Sequence, residues 1–536
     1  LQAGSFAASA ASAAIMIGGS LLINALLPIN VKQPQMQDGI GKGLESYLIG
    51  SQNNSANLHG PIPVWYGYRK GYPDLAAPPY FETKDNSMYM HQLFCVTQGK
   101  IDIEQIFIEK TPIENFKEAE YQIIPPFGRV TLFNDNVYTS PEVQSLKLDG
   151  YIDGGDDIVG YESTPDGEML NIKGKIQWIG GFVATPLGAT TSRLAVDISL
   201  PNGLCSFGDD GKVNKNSIDY VVQARKLDDK NNPASEWFTI SDDITSPAWR
   251  QNYDKIIAES RKRTFGMGVN YKLPLSERIT RATLDGQLIT NFFDVPNGRY
   301  EVRMGLTSKK IENDTKSSSN FQWIGLRSYM NPIQEYGNVT MLAVKIKATN
   351  NINSSISRRI NLNGTRILPV WDGYSWREKP TRSIAWATAD IFMNQQYGRK
   401  LKQSRLNLEE LLRLDSVWEK RNNFADGIFD SELTTWDAAS EMLATGRAKP
   451  IYYAGVIDFY RAEPKSVNVG FFSHNNIVKD SFSVKYALPK SDWGDHVVVS
   501  YTDDTTWTPK EVICALPDSP MRKAFKLSLK FVSNRL

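Results

Sequence analysis

Three tryptophan–aspartate pairs, each adjacent in sequence, are the residues of this chain best suited to chemistry on sugars. They are Trp371-Asp372, Trp436-Asp437 and Asp492-Trp493. Hydrolysis of a glycosidic bond needs two carboxylates across that bond, and aromatic rings offer flat surfaces to sugar rings. Because the chain carries 59 acidic residues, such neighbours also arise by chance. We therefore predict that the chain is not an enzyme, and we keep a polysaccharide- or cell-wall-degrading enzyme of the glycoside hydrolase type as an alternative.

The sequence patterns of other catalytic and metal sites are missing. Cys95, Cys205 and Cys514 are odd in number and far apart, which fits neither a disulfide framework nor a CxxC site, and no two of the four histidines have metal-ligand spacing. The acidic clusters at 153–157 and 208–211 lack the calcium-loop pattern, and no G-x-S-x-G nucleophile motif occurs. We predict no catalytic residue, no cofactor and no bound metal.

The charges of the chain are balanced, since 60 lysines and arginines face 59 acidic residues. A formal net charge of +1 creates no general attraction to nucleic acid or to an anionic membrane. We therefore predict no sequence-specific binding of nucleic acid.

The N-terminal segment 1–31 has an unusual composition. No charged residue precedes Lys32, and the apolar run over 5–28 is long enough to cross a bilayer as a helix. Its many alanines, serines and glycines also suit close packing between helices. We predict a helix that faces a lumen or partner chains, and contact with a membrane is the alternative.

Apolar residues recur with a period of two between residue 61 and about residue 348, which predicts strands. In the strand predicted over 193–200 the even-numbered residues are apolar, whereas the odd-numbered ones include Asp197 and Ser199. This alternation predicts one buried face and one solvent-exposed face. Turn clusters such as 153–157 and 296–298 are spaced as in β-sandwiches and β-barrels.

The period changes to 3.6 near residue 380, which predicts three short helices. Ser383 is a candidate N-cap for a helix over 384–397 that ends at Gly398, and Asn407 with Glu410 resembles a capping box for the second helix. Residues 434–437 open the third helix, which Gly446 closes. Strands return afterwards, first in a hairpin that turns at Ala454-Gly455 and then over 495–504. The pattern predicts a mainly β, multidomain fold with a small helical insert.

The run 371–399 is rich in aromatic residues and permits two interpretations. Trp371 and Trp376 suit a platform for a ligand, or the run forms a buried joint between strands and a helix. Buried aromatic residues at such a seam are the commoner case, so the joint is the preferred hypothesis.

Several of these stretches, in the same order, contain recurring residues of one protein family. The stretches include RYEVRMGLT, FQWIGLRSYMNP, WDGYSWREKPTRSIAWATADIFMNQQYGR, AKPIYYAGVIDFYRAEP and DHVVVSYTDD. The positions concerned are Val302, Arg303, Trp323, Tyr329, Trp371, Asp372, Gly373, Trp386, Asp390, Tyr397, Gly398, Gly455 and Tyr501. Together they resemble the tail-tip host-specificity proteins of lambda-like phages, known as the protein J family, and the resemblance spans about residues 51–507.

The resemblance implies a structural virion protein at the distal tip of a long non-contractile tail, assembled in the cytoplasm of the host cell. Hub domains that are β-barrels or β-sandwiches, with a fibronectin type III-like insertion, are expected to form a homotrimer that closes the tail tube. The expected partners are other tail-tip and distal tail proteins, the tape-measure protein and a host cell-surface receptor, which a C-terminal region beyond residue 536 contacts. Host attachment then opens the hub, and phage DNA passes through its lumen. The N-terminal segment is expected to contact the tape-measure protein or to pack in the lumen.

The pattern and the resemblance together predict seven segments. They are the apolar N-terminal segment 1–31, an extended connector 32–60, a first β hub domain with an insertion 61–188, a fibronectin- or immunoglobulin-like sandwich insertion 189–331, a second β hub domain 332–381, a helical insert 382–449, and return strands with the start of a C-terminal region 450–536. Exposed aromatics on such sandwiches leave a second alternative open, a monomeric glycan-binding adhesin.

Overall fold

A computed structural model describes residues 54, 56–57, 60–163, 169–240, 277–309, 316–348, 359–464, 470–485 and 494–534, with the backbone alone for 161–163 and 169–171. The predicted segment 1–31, most of the connector 32–60 and the pair Asp492-Trp493 lie outside these ranges.

Strands dominate the described ranges. In chain order they are β1 (Val64–Tyr66), β2 (Tyr68–Gly71), β3 (Asp74–Leu75), β4 (Tyr80–Lys84), β5 (Ser87–Gln98), β6 (Ile101–Ile108), β7 (Thr111–Pro112), β8 (Ala119–Ile124), β9 (Val137–Thr139), β10 (Leu146–Leu148), β11 (Ile152–Ser163), β12 (Met169–Lys175), β13 (Ile179–Val183), β14 (Thr191–Leu200), β15 (Cys205–Phe207), β16 (Val213–Asn214), β17 (Asn216–Leu227), β18 (Phe238–Ile240), β19 (Glu277–Arg281), β20 (Gln287–Leu306), β21 (Ser317–Ser318), β22 (Phe321–Tyr329), β23 (Val339–Lys347), β24 (Ile360–Trp371), β25 (Trp376–Pro380), β26 (Gly427–Phe429), β27 (Ala448–Tyr453), β28 (Val456–Arg461), β29 (His496–Thr502), β30 (Pro509–Ala515) and β31 (Ala524–Ser528). The helices are α1 (Ile384–Met393), α2 (Leu408–Lys420) and α3 (Thr435–Ala444), and single 3-10 turns cover Ile113–Asn115 and Gln403–Arg405.

Two antiparallel sheets form a framework. One has the order β3-β5-β23-β8 with β4 on β5, and the other has the order β2-β24-β6-β7 with β25 on β24. They share an apolar core that includes Phe94, Ile106, Leu342 and Leu362. Since β5 and β6 pair with strands that follow residue 338, the chain leaves the framework and later returns to complete it.

The intervening chain builds a nine-stranded sandwich. Strand β20 belongs to both of its layers, because residues 287–298 pair with β14 whereas residues 299–306 pair with β17. Trp323, Phe293 and Tyr300 lie in the core between the layers. Strands β9, β10 and β13, which precede residue 189, also pair in this sheet system.

The three helices pack with the β27–β28 hairpin and the end of β24 around one further core. The two predicted N-caps are confirmed, since the Ser383 hydroxyl and the Asn407 side chain each accept a backbone N–H bond from the residue three positions on. Thr434, in the predicted opening of the third helix, caps α3 in the same way. The prediction that α1 extends to Gly398 is wrong, because α1 ends at Met393. A Cβ on Gly398 would lie 2.7 Å from each of two α1-end carbonyl oxygens, so close approach is what requires glycine there.

The prediction of a mainly β, multidomain fold with a small helical insert is confirmed. Barrel closure of the hub domains needs correction, because the sheets within the described ranges are open and the framework packs two of them face to face. The sandwich architecture is observed instead. The seven predicted segment boundaries stay predictions.

Two local predictions were wrong. Every residue from Leu194 to Leu200 is buried, including Asp197 and Ser199 on the face expected to meet solvent. The acidic cluster 153–157 lies within β11 at a register shift rather than in a turn, and 296–298 lies within β20. In β14 and β20, contacts with distant parts of the chain overrode the local pattern.

The carboxyl group of Asp74 makes the stability of the framework depend on pH. Asp74 lies on β3 opposite Cys95, and burial together with the negative charge of Asp430 raises the pKa of Asp74 to about 6. A raised pKa means that the folded chain binds the proton more tightly, so this contribution to stability is complete below about pH 4 and is lost as the pH rises through 6.

We expect Asp74→Asn to raise the free energy of unfolding at pH 8 by about 1–2 kcal/mol, a value reduced to allow for partial exposure of the carboxylate. At pH 4 the variant and the native chain should unfold at the same urea concentration, because the native carboxyl group is then already protonated when folded. Asp102→Asn on the exposed side of β6 is the control and should match the native chain at both pH values. Equal effects of Asp74→Asn at pH 4 and pH 8 would contradict the assignment.

Candidate functional site

The aromatic run forms a joint at the end of β24. Trp371 and Trp376 face each other across the β24–β25 hairpin with ring centroids 5.3 Å apart, and the edge of Trp376 meets Trp386 of α1 at 5.7 Å. Gly373 has a φ of +99°, which the tight turn between the strands requires. The three indoles therefore connect the framework to the first helix.

The Asp372 carboxylate closes this turn. It accepts the backbone N–H groups of Tyr374 at 2.9 Å and Ser375 at 2.7 Å, and also the Ser375 hydroxyl at 3.0 Å. These hydrogen bonds lower the pKa of Asp372. The Asp372 oxygens thus accept hydrogen bonds from backbone N–H groups, which is the usual role of aspartate in turns.

Trp386 anchors the start of α1 against α2. Its indole N–H donates to Asp415 at 2.8 Å, and the Ser383 hydroxyl donates to the other oxygen of the same carboxylate. The Ser383 oxygen also accepts the Trp386 backbone N–H at 3.2 Å. Burial raises the pKa of Asp415, and the two donated hydrogen bonds oppose that rise.

Asp390 lies at the centre of a buried polar network. Its carboxylate accepts the hydroxyl of Tyr66 at 2.7 Å and the hydroxyl of Tyr397. The Arg366 guanidinium donates to the Tyr397 hydroxyl at 2.9 Å and to the carbonyl oxygen of Gln98. Burial and the Asp390 charge raise the pKa values of both tyrosines, so both hydroxyls remain donors. The network connects β1, β5, β24 and α1.

Sequence reasoning identified Asp390 and Tyr397 but missed Tyr66 and Arg366. A signal for Arg366 exists in β24, where the even-numbered positions 360–370 form the buried face. An arginine at a period-two apolar position needs an internal partner, because a buried charge without one is very costly.

Asp426 forms a second polar centre, which sequence reasoning also missed. It accepts two hydrogen bonds from the Arg382 guanidinium, one from the Ser533 hydroxyl and one from the Tyr68 backbone N–H. Arg382 also donates to Asp504 at 2.9 Å. This cluster connects β2 to two other parts of the chain. One is the helical unit, formed by α1–α3 and the β27–β28 hairpin, and the other is the C-terminal sheet, formed by β29, β30 and β31.

An open cleft of about 440 Å³ lies beside the joint. Its walls include Lys379, Arg382, Trp386, Asp415 and Trp418. Both Arg382 and Asp415 already hold their partners within the fold. Within the described ranges, no three histidine, cysteine, aspartate or glutamate side chains are grouped so that they could hold a metal ion.

The sandwich residues selected from the sequence lie away from this joint. Val302 is buried in the sandwich core, whereas Arg303 on the outer face stacks on Trp178 at 4.2 Å and on Trp237 at 4.3 Å. Arg303 also donates twice to the Gln223 side-chain oxygen, at 2.9 and 2.7 Å. This arrangement of guanidinium and indole planes ties β13, β17 and β20 to the segment before β18.

Trp323 and Tyr329, both on β22, have different roles. Trp323 lies in the sandwich core, where its indole N–H donates to the Gly325 carbonyl oxygen at 2.9 Å. Tyr329 faces the framework, and its hydroxyl donates to Glu82 of β4 at 2.7 Å. Tyr80, also on β4, packs edge-on against the Tyr329 ring.

A buried ion pair within the sandwich supports this docking. Arg327 is 2 % exposed and donates to the two Asp197 oxygens at 2.6 and 2.8 Å, so the pair joins β14 and β22. Arg327 also donates to the Tyr329 hydroxyl and, across to the framework, to the Phe81 carbonyl oxygen of β4. Asp197 is thus buried beside Arg327, where the sandwich meets β4.

Gly455 and Tyr501 belong to neither centre. Gly455 has a φ of +84° in the β27–β28 turn, as the predicted hairpin requires. Tyr501 is buried at one end of β29. The thirteen residues selected from the sequence therefore fall into one helix–sheet joint, one sandwich and two separate positions.

The geometry suits mechanical connection between modules. Charged and aromatic groups at the joints are bonded to groups on other elements, as a rigid scaffold needs.

No helix among the residues that the structure describes combines the length and the apolar composition needed to cross a bilayer. No protein-family model matches the chain, and a comparison with curated proteins found none with a similar sequence.

Proposed function

We propose that this chain is a structural protein of the tail tip of a long-tailed phage, where three copies form a hub that closes the tail tube. One observation carries the proposal. The residues selected by the family resemblance hold modules together: Trp386 and Asp390 fix the helical unit, whereas Arg303 and Tyr329 brace and dock the sandwich. Residues that hold modules together are expected in a structural scaffold.

The topology supports the same proposal. The sandwich is inserted between strands of the framework and is docked on it by two hydrogen bonds to β4, from Arg327 to the Phe81 carbonyl oxygen and from the Tyr329 hydroxyl to Glu82. An inserted module held at both chain ends and by these hydrogen bonds moves with its host domain. This rigidity suits a hub that carries a decoration on its outer surface.

In this proposal, host attachment opens the hub for delivery of the phage DNA. A C-terminal region beyond residue 536 contacts the host receptor, and other tail-tip proteins and the tape-measure protein contact the hub from the virion side. The segment 1–31 packs in the lumen or against the tape-measure protein.

Light scattering on the purified chain tests the proposal. We expect three chain masses, because a hub at the end of a tube assembles through large symmetric interfaces. Three-fold density at the ends of imaged tails would agree with it. A stable monomer that binds or cleaves a polysaccharide would contradict the hub and support one of the alternatives.

Exposed tyrosines favour the adhesin as a second candidate. Tyr452, Tyr453 and Tyr460 are exposed on the β27–β28 hairpin, and Tyr374 is almost fully exposed in the turn before β25. Tyrosine rings with a free polar tip suit glycan binding. The enzyme alternative has less support, since Asp372 and the α3-capping Asp437 make local turn and cap hydrogen bonds.

A further inference from the structure

The C-terminal sheet has an apolar face that the described part of the chain leaves partly exposed. Its order is β30-β29-β31, so the register places residues of the three strands in rows on one side. Two such rows are entirely apolar: Val497, Cys514 and Phe525 form one, and Val499, Val512 and Leu527 form the other. Phe525 is 55 % exposed and Leu527 is 41 % exposed.

The opposite face of this sheet is more mixed, since the row through Ser500 contains Glu511 and Ser528 and the row through Val498 contains Lys526 as well as the exposed Ile513. Within the described ranges the sheet meets the body of the chain near the ends of β29 and β31. There Asp504 accepts from Arg382, the Ser533 hydroxyl donates to Asp426, and Phe531 lies in the core of the helices. A small sheet needs its apolar face covered for stability.

A second apolar surface lies in the segment 470–485, which we call the phenylalanine segment. Phe471, Phe472 and Phe482 are 82 %, 81 % and 71 % exposed, and Val478 and Val484 are exposed as well. Among the described residues its hydrogen bonds stay local, as between Ser481 and Val478. Within the described ranges the segment therefore exposes side chains that are suited to a core.

The phenylalanine segment also has an unused strand pattern. Over 481–485, Phe482 and Val484 alternate with polar residues, which is the period of a half-buried strand, yet no strand among the described residues pairs with this stretch. In the C-terminal sheet, β30 and β31 each have an outer edge that no described strand occupies. An extended segment can add to such an edge and place alternate side chains on one face.

We propose that the phenylalanine segment of one copy of this chain covers the apolar face of the C-terminal sheet of the next copy. The inference rests on the proposed trimer and identifies one of its interfaces. A contact between two different surfaces is head-to-tail, and three such contacts close a ring. The phenylalanine segment of each copy contacts the sheet of one neighbour, and the sheet of the same copy is covered by the segment of the other neighbour.

The areas involved agree with a specific interface. An aromatic side chain buries about 150–250 Å², so three phenylalanines and two valines supply roughly 600 Å² from the segment side. With a similar area from the sheet, the total of about 1,200 Å² reaches the lower end of stable interfaces. Within a single copy the two surfaces stay apart, since both remain exposed.

Disulfide trapping between copies tests the proposal, because Cys514 lies on the apolar face and is exposed, whereas Cys205 is buried. One chain carries Phe482→Cys with Cys514→Ser, a second chain keeps the native Cys514, and the two are co-expressed with different tags. We expect a species that contains both tags and is released by reductant. Tyr453→Cys in place of Phe482→Cys is the control and should give none, since its hairpin is exposed but lies outside the proposed interface.

The result separates this interface from the trimer itself. A trimer by light scattering that gives no mixed disulfide with either Phe482→Cys or Val484→Cys overturns the interface and leaves the hub. In a further chain that combines Phe482→Cys with the native Cys514, a disulfide that forms only within one chain shows that the segment covers its own sheet, which also overturns the interface. A monomer overturns both proposals.

A charge placed on either face of the sheet gives a second measurement. We expect Phe525→Glu to weaken association at least about tenfold by sedimentation, because the change puts a carboxylate in the apolar contact. The neighbouring Lys526→Glu lies on the opposite face and should change association by less than about threefold. Since both side chains are exposed in one copy, both variants should fold. Equal effects of the two changes would contradict the proposal.

Discussion

Arg327→Ala is expected to lower the free energy of unfolding by about 3–5 kcal/mol, because it leaves the Asp197 carboxylate buried without a counter-charge. The loss should be largest where the sandwich docks on the framework, since Arg327 also donates to the Phe81 carbonyl oxygen of β4. Urea unfolding followed by tryptophan fluorescence measures the change. Limited proteolysis should release the sandwich earlier than in the native chain.

The same sandwich offers a matched control for this prediction. Arg278 makes a two-fold contact with Asp219, with both N–O distances at 2.6 Å, but the pair lies on the surface. Arg278→Ala should cost at most about 1 kcal/mol, because water screens an exposed pair. Asp197→Leu combined with Arg327→Met should recover most of the lost stability, since an apolar pair replaces both charges. Equal losses from the Arg278 and Arg327 variants would show that burial does not determine the energy.

Trp386→Ala is expected to lower the free energy of unfolding by about 3–5 kcal/mol and to reduce the yield of assembled trimer. The indole is 1 % exposed, so its removal leaves a large cavity between α1, α2 and Trp376. It also leaves the buried Asp415 with one donor fewer. Denaturant unfolding and light scattering on the same preparation measure the two effects.

Two variants make the Trp386 prediction specific. Trp436→Ala on α3 removes a partly exposed indole and should cost about 1 kcal/mol or less, as expected for a surface position. Trp386→Phe keeps the ring but loses the hydrogen bond to Asp415, so an intermediate loss is expected. If Trp386→Ala left stability and assembly intact and abolished ligand binding, the aromatic run would be a ligand platform instead of a joint.

Local features of the fold were predictable from the sequence. The N-caps Ser383, Asn407 and Thr434 depend on a hydrogen bond to a residue three positions away, so a short stretch contains all the information. The Ala454-Gly455 turn is local in the same sense. The mainly β fold class follows from many such stretches together.

The polar centres were not predictable, because each combines residues distant in the chain. Asp390 reaches Tyr66 across 324 positions, and Arg327 reaches Phe81 across 246. No local sequence pattern predicts which part of the chain will cover the face of β14 that carries Asp197. Arg366 was the exception, since its place on a buried face of β24 was visible in the alternation.

The return of the chain to its framework also affects how the protein can fold. Thr340 donates to the carbonyl oxygen of Gly99 across 241 positions, so the framework sheets remain incomplete until the ribosome has made β23 and β24. Closing so long a loop costs conformational entropy, which slows folding. If the sandwich folds first, the loop that must close is shortened to the distance between the two ends of the sandwich. We expect a sandwich that folds first to bring β8 and β23 together, which pair in the framework, and variants that weaken the sandwich core should slow completion of the framework more than variants within the framework itself.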